Sequence, residues 1–291
     1  MSLYTRRDVY RKNPGIRSLN TGDLINSGLL WCATMGEGIS NICFDLSKNA
    51  TTVTATLVST TWTIGPGGRS PQFNGTSSYL TLTGTQQSPS AQTWSFWVTE
   101  KSRLANATFF STNSSGGPFN EIFSNNGVLS YVNLSAAIVS TGYTVPLNEL
   151  THIVATMTGT TLQLYVNGRL WTTVTDNNFN SQCIPVTIGG WSVNAYNSTV
   201  ATANWFSGII SNFRIYNRVI TAGEARRLYV EPFAGMLPTM GVRALTLDGF
   251  DVPAAAAGLI KTRNGLAWAS VKTVDGLAAA SVKTINGLAA N

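Results

Sequence analysis

The side chains best suited to chemistry lie in one segment, residues 189–206, which reads GGWSVNAYNSTVATANWF. Trp191, Tyr196 and Trp205 flank the amides Asn194 and Asn197. Aromatic rings stack on the apolar faces of sugars, and amides exchange hydrogen bonds with hydroxyls. The chemistry this segment can do is therefore saccharide recognition. The alternative is that the rings fold back onto the body of the protein or meet a neighbouring chain.

Catalytic groups are sparse. His152 is the single histidine, and a Ser-His-Asp or Cys-His mechanism would have to run through it. It opens the strand-like run Thr151–Ala155, where a structural role is expected. Hydrolysis of glycosides needs two carboxylates close together. The 13 acidic residues form no such pair inside an expected strand, and the nearest pair, Asp248 and Asp251, lies outside the body. Cys32, Cys43 and Cys183 with one histidine give no zinc spacing. A Cys32–Cys43 bridge requires paired strands, and the N-terminus, lacking an apolar leader core, points instead to folding in a reducing compartment. No phosphate-cradling loop and no dinucleotide fingerprint occur. The chain reads as non-enzymatic.

Composition narrows the class further. Only 11% of the 291 residues are charged, against 43% hydrophobic. The surface must then be built from Ser, Thr, Asn and Gly. Eight tryptophans, nine tyrosines and twelve phenylalanines are ample for a packed core. No apolar run approaches the ~20 residues of a membrane span. The sequons at Asn49, Asn74, Asn106, Asn113, Asn133 and Asn197 are what a chain rich in Asn, Ser and Thr produces by chance.

The elements that must position these groups are strands. Thr51–Val58, Tyr79–Leu82, Trp94–Val98, His152–Met157, Thr161–Val166, Val186–Ile188 and Ile209–Tyr216 alternate or run apolar over strand lengths. Asn167-Gly168 joins two such runs as a hairpin turn. Trp94 and Phe96 alternate with Ser95 and Trp97, which sends two large rings into a sandwich core. Thr221–Tyr229 is the one helix expected, with Thr221 as N-cap and Glu224 completing a capping box.

In order along the chain stand Gly28-Leu29-Leu30-Trp31, Asp45–Asn49, Phe73-Asn74-Gly75 with its polar turn and Tyr79-Leu80, Trp94–Val98, His152–Ala155, Leu164–Arg169, Ile188–Gly190 and Phe206–Arg218. This order resembles a laminin-G-like, concanavalin A-like jelly roll. The resemblance implies an all-β class: a jelly-roll β-sandwich over residues 25–232, between a basic arm at 1–24 and a β-rich extension at 233–291. Relatives of this fold often hold calcium on loop oxygens, which makes Asp45, Asn74 and Asp176 the metal candidates. Asn74 stands where the family usually has Asp, so one charge is lost, and no cofactor is otherwise implied.

Both ends look like attachment devices. Arg6, Arg7, Arg11, Lys12 and Arg17 face only Asp8 in the first seventeen residues, with Tyr4 and Tyr10 among them. Such an arm docks on an acidic partner surface, a protein in preference to nucleic acid. From about residue 257 an 11-residue repeat sets in. Lys261, Lys272 and Lys283 recur at that period, each followed by Thr and, after one more residue, by Asn or Asp and then Gly-Leu. Each repeat reads as strand, turn and strand, too small to bury a core alone. Tails of this kind resemble the ends of phage structural proteins. The expected role is a virion-surface protein of a tailed phage, a capsid decoration or appendage subunit assembled in the host cytoplasm. Its expected partners are the major capsid protein or other virion proteins, copies of itself (a trimer by preference) and surface glycans. An adhesin of the tail-fibre or tailspike type is the alternative.

Overall fold

The computed structural model describes residues 18–36, 41–47, 53–65, 68–87, 89–112, 120–132, 138–175, 184–191 and 203–237, with short strands between 259 and 290. Residues 4–17 of the basic arm, Asp176, Cys183, Asn194, Tyr196, Asn197, Asp248, Asp251, Lys261, Lys272 and Lys283 lie outside the described residues.

In chain order the body begins with β1 (Ser18–Leu19), a short 3-10 helix (Leu24–Asn26), β2 (Leu29–Ala33), β3 (Val53–Val58), β4 (Thr61–Gly65) and β5 (Gly68–Asn74). It continues with β6 (Tyr79–Gln87), β7 (Ala91–Glu100), β8 (Ala107–Thr112), β9 (Asn120–Asn125), β10 (Val128–Val132) and β11 (Ile138–Thr144). Then come β12 (Leu150–Thr158), β13 (Thr161–Val166), β14 (Arg169–Thr175), β15 (Ile184–Ile188), β16 (Ser207–Tyr216), α1 (Ala222–Val230) and β17 (Met236–Leu237).

The strands form two antiparallel sheets. One runs β11-β10-β9-β8-β15-β6-β3; the other runs β14-β13-β12-β7-β16-β5-β4, with β2 added along β16. Their inner faces share one core. Phe96 of β7 stacks on Phe213 of β16 at 5.2 Å and 11°. Phe110 of the opposite sheet meets Phe96, Phe213 and Trp94 at 5.8, 5.7 and 5.0 Å. Trp94 and Phe96 thus point inward, as their alternation requires.

Trp97 points to the other face, yet it is buried too. Helix α1 covers that face. Tyr229 of α1 stacks on Trp97 at 5.8 Å and 14°. Ala225 and Leu228 of the helix join Val154, Tyr165, Tyr216, Ile25, Leu29 and Met236 in a second, smaller core. The capping box forms: Thr221 Oγ1 accepts from the Glu224 amide at 3.2 Å, and Glu224 accepts from the Thr221 amide at 2.7 Å. Asn167 and Gly168 both take positive φ, 49° and 75°, as the hairpin turn demands. A β-carbon on Gly168 would lie 2.9 Å from Tyr229, so the helix rests directly on this turn.

The body extends beyond the boundaries read from the sequence. β1 pairs with β17, Ser18 opposite Leu237 and Leu19 opposite Met236. Arg227 of α1 grips Asp23 with two bonds of 2.8 and 2.6 Å. Residues 18–24 therefore belong to the folded body rather than to the arm, and the body runs past 232 to Leu237. The physical reason is that two-residue strands carry no periodic signal. Cys32 and Cys43 are buried thiols with no disulfide between them, and burial pushes the Cys32 thiol up to about 11.

Residues 240–291 form a separate compact unit. Its strands are β18 (Leu259–Ile260), β19 (Thr262–Arg263), β20 (Leu266–Ala267), β21 (Thr273–Val274), β22 (Leu277–Ala278), β23 (Thr284–Ile285) and β24 (Leu288–Ala290). β19 pairs with β20, β21 with β22 and β23 with β24, all antiparallel. Between the paired strands the sequence reads Asn264-Gly265, Asp275-Gly276 and Asn286-Gly287. β18 lies parallel to β24, so the first repeat joins the last.

Truncating Phe213 to alanine empties the centre of the sandwich. The expected cost is about 3–5 kcal/mol, read as a lowered urea midpoint with cooperative unfolding retained.

Candidate functional site

The aromatic segment is held at its base by backbone. Trp191 and Ala203 exchange amide hydrogen bonds of 2.9 and 3.4 Å. The Phe206 amide donates to the Gly189 carbonyl at 3.0 Å, and the Gly189 amide donates to the Phe109 carbonyl at 3.0 Å. Gly189 has φ of 82°, and a β-carbon there would sit 2.3 Å from the Phe73 ring. Only glycine fits this close approach. Trp191 and Trp205 are both half-buried. Trp205 packs on Tyr79 of β6, with centroids 5.9 Å apart and planes at 38°.

Tyr79 places this pair on the outward face of the seven-stranded sheet. Leu80 and Leu82 of β6 enter the core, so Tyr79 and Thr81 point the other way. The same face carries a polar row across four strands. Thr81 stands opposite Thr187, Thr187 opposite Ser111, and Ser111 opposite Glu121. Thr187, Ser111 and Glu121 are buried. The hydroxyls of Ser111 and Thr187 have no hydrogen-bond partner among the described residues.

Glu121 is the unusual member. Its carboxylate accepts from Thr108 Oγ1. No cation compensates it among the described residues. Burial pushes its carboxyl up to about 7. Glu100 makes the contrast: it is buried as well, but it accepts from Ser124 at 2.7 Å and pairs with Arg103. A buried carboxylate without a cation among the described residues makes this face a candidate functional one. The row itself is buried, so the ring surface that a ligand can reach at this end is that of half-buried Trp205, backed by Tyr79.

Of the aromatic residues singled out in the sequence, Trp205 packs on Tyr79 and Trp191 pairs with Ala203; Tyr79, Ser111, Glu121 and Thr187 were not singled out. These come from four strands, and only cross-strand register brings them together. Asn194, Tyr196 and Asn197 lie outside the described residues, so the amide half of the expected site is not placed.

The other singled-out residues have structural work. Asp45 accepts from the Cys32 amide at 3.0 Å, the Ser47 amide at 2.8 Å and Ser47 Oγ at 2.7 Å. Burial raises its carboxyl from the ordinary range. Asn74 Oδ1 accepts from the amides of Thr76, Ser77 and Ser78 at 2.9, 2.9 and 3.1 Å, which shapes the turn into β6. Among the described residues no group of three or more His, Cys, Asp or Glu side chains could hold a metal ion. His152 is buried beneath α1, 3.0 Å from Ser95 Oγ through Nε2, and its ring adjoins those of both Trp97 and Tyr229, at 4.8 and 6.2 Å. It is a packed core residue, as its position in the sequence suggested.

Residues 74–226 match the model of the concanavalin A-like lectin/glucanases superfamily, and the chain belongs to that family. No curated protein sequence matches it. Its fold is similar to domain 4 of AbnA, an extracellular arabinanase of Geobacillus stearothermophilus solved with arabinotriose. That match has 18% identity and a TM-score of 0.56, covering 69% of this chain and 98% of the domain. The binding domain of Paraclostridial Mosquitocidal Protein 1 matches at 17% identity and TM-score 0.55, over 72% of this chain and 53% of that one. The botulinum neurotoxin serotype G binding domain matches at 17% and 0.52, over 71% and 51%. The chain thus spans about half of each toxin binding domain. At these identities the likeness is one of fold.

The buried carboxyl sets a pH dependence. Glu121 ionises near 4.5 in an unfolded chain and near 7 when folded. Its contribution to stability is full below about 4.5 and is lost as pH rises through 7. Glu121→Gln should flatten this trend and raise stability at pH 8 by at most about 3 kcal/mol, measured by urea unfolding at pH 5 and pH 8.

Proposed function

We propose that the chain is a non-enzymatic virion structural protein of a tailed phage, a capsid decoration or appendage subunit that holds out a carbohydrate-binding jelly roll. One geometric observation carries the reading. The chain enters the body at Ser18 and leaves it at Leu237, and these two residues are direct strand partners. Met236 and Tyr216 share the small outer core, so this exit lies at the Tyr216 end of β16. Trp205 precedes Ser207, at the opposite end of the same strand. Ten residues of β16 separate the two ends, about 30 Å at ~3.3 Å per residue. Both terminal segments thus leave together at one end, and the aromatic pair stands at the other. That is the polarity a tethered, outward-facing binding module needs.

The basic arm, with Tyr4, Arg6, Arg7, Tyr10, Arg11, Lys12 and Arg17, is the segment proposed to dock on the major capsid protein or another virion protein. The repeat unit is proposed to hold copies of the chain together, a trimer by preference. Its hairpins have strands two or three residues long, which gain stability when stacked on others. The superfamily and the arabinanase domain favour a saccharide as the displayed domain's ligand, and half-buried Trp205, backed by Tyr79, is where it would sit.

Native mass spectrometry of the full chain beside a variant ending at Thr239 tests the assembly half. The expected outcome is an oligomer for the full chain and a monomer for the variant; a monomer in both cases removes the repeat from assembly. Affinity electrophoresis in polysaccharide gels tests the other half. Retardation in at least one gel is expected, weakened severalfold by Trp205→Ala.

A further inference from the structure

We infer that the chain carries a second saccharide-binding platform, built from Trp171 and Tyr143 where the outermost strands of the two sheets meet. It shares only the ligand class with the reading above and uses none of the same residues.

Two irregularities create it. In β14, Thr172 pairs with Leu164 and Leu170 pairs with Tyr165, so Trp171 is an extra residue opposite nothing on β13. In β11, Thr144 pairs with Val128 and Ser140 pairs with Ser130. Thr141, Gly142 and Tyr143 therefore face Leu129 alone. Bulges of this kind re-aim side chains at sheet edges and recur beside binding sites. Here the two bulges face each other across the gap between the sheets. The Trp171 indole N–H donates to the Thr141 carbonyl at 2.9 Å. Tyr143 meets the Trp171 ring edge to face at 5.0 Å and 73°. Gly142, with φ of 73°, lets β11 make the bend, and Thr141 Oγ1 secures it on the Leu129 carbonyl at 2.7 Å.

The product is a rigid ring left in water. Trp171 is 49% exposed, while Trp31, Trp94 and Trp97 are fully buried. The Thr141 bond and the Tyr143 contact hold the ring in one orientation, which lowers the ordering cost of stacking a ligand on it. The chemistry of the ligand follows from what the ring has already used. Its one polar group is committed to Thr141, so what remains exposed is apolar ring surface. Exposed Ser140 and Thr144 flank the Thr141–Tyr143 bulge of β11, and exposed Arg169, Leu170 and Thr173 flank Trp171 on β14. An exposed apolar ring with exposed hydroxyls on the flanking positions of both strands matches a pyranose or furanose ring, which has an apolar face and a hydroxyl rim.

The test uses the full chain in affinity electrophoresis against mannan, β-glucan, arabinan and a bacterial O-chain polysaccharide. Wild type should be retarded in at least one gel, and Trp171→Ala should weaken that retention about tenfold, the equivalent of ~1.4 kcal/mol. Trp205→Ala reports the loop site separately: retention lost there and unchanged in a folded Trp171→Ala variant overturns the platform and leaves the other site standing. Should Trp171→Ala fail to unfold cooperatively, Trp171→Phe and 19F NMR of 5-fluorotryptophan-labelled full chain decide the matter. The resonance that Trp171→Phe removes must shift on titration with oligosaccharides of all four polymers, at millimolar concentration, for at least one of them. A stationary resonance overturns the proposal. So does a change of native mass on Trp171→Ala without any change in retention, since the clasp would then be a protein interface.

Discussion

Strands β7 and β16 are buried on both faces, and the rest of the body is arranged around that constraint. Their inner sides close against the seven-stranded sheet through Phe96, Phe213 and Trp94. Their outer sides carry Trp97, Tyr216 and Arg214, which are equally inaccessible. A sheet face with this much apolar surface must be covered, and the available cover is α1 with the segments on either side of the body. Tyr229 lies on Trp97, Arg214 donates to the Pro232 carbonyl at 3.1 Å, and Arg227 fastens the helix to Asp23. Covering the outer face is what draws Ser18 and Leu237 into one ladder. The pairing of Ser18 with Leu237 thus accompanies the covering of that face.

The other sheet solves its outer face differently. There the row Thr81, Thr187, Ser111 and Glu121 is polar and buried: the Thr187 and Ser111 hydroxyls have no partner among the described residues, and Glu121 accepts from Thr108 but faces no cation among them. Glu100, held by Arg103 and Ser124, shows what a satisfied buried carboxylate looks like in the same molecule. Burying an uncompensated carboxylate is expensive in a low-dielectric setting. That expense falls on the same outward face as the Trp205–Tyr79 pair, three strands across the sheet from it. Stability and the candidate site therefore draw on opposite faces of the sandwich.

Local chemistry explains what was legible in the sequence. The type of each strand, the Asn167-Gly168 turn, the Thr221–Glu224 capping box and the strand-turn-strand form of the 11-residue repeat all depend on neighbours within a few positions. Alternation at Trp94–Trp97 separates inward from outward rings correctly. It does not reveal that Trp97 is covered, because its cover, Tyr229, lies more than a hundred residues away. The boundaries at 24 and 232 fell short for the same reason: β1 and β17 exist only as partners of each other.

By itself, then, the sequence determined an all-β jelly roll with one capped helix, because turns, caps and alternation are written in short-range spacing. Only the tertiary structure decided which residues share a face. Register across strands assembled Tyr79, Thr187, Ser111 and Glu121 from four separate strands. Two bulges, visible only as pairing shifts, brought Trp171 to Tyr143. Such groupings arise from cross-strand distances of about 5 Å between positions far apart in the chain, and no local pattern encodes them.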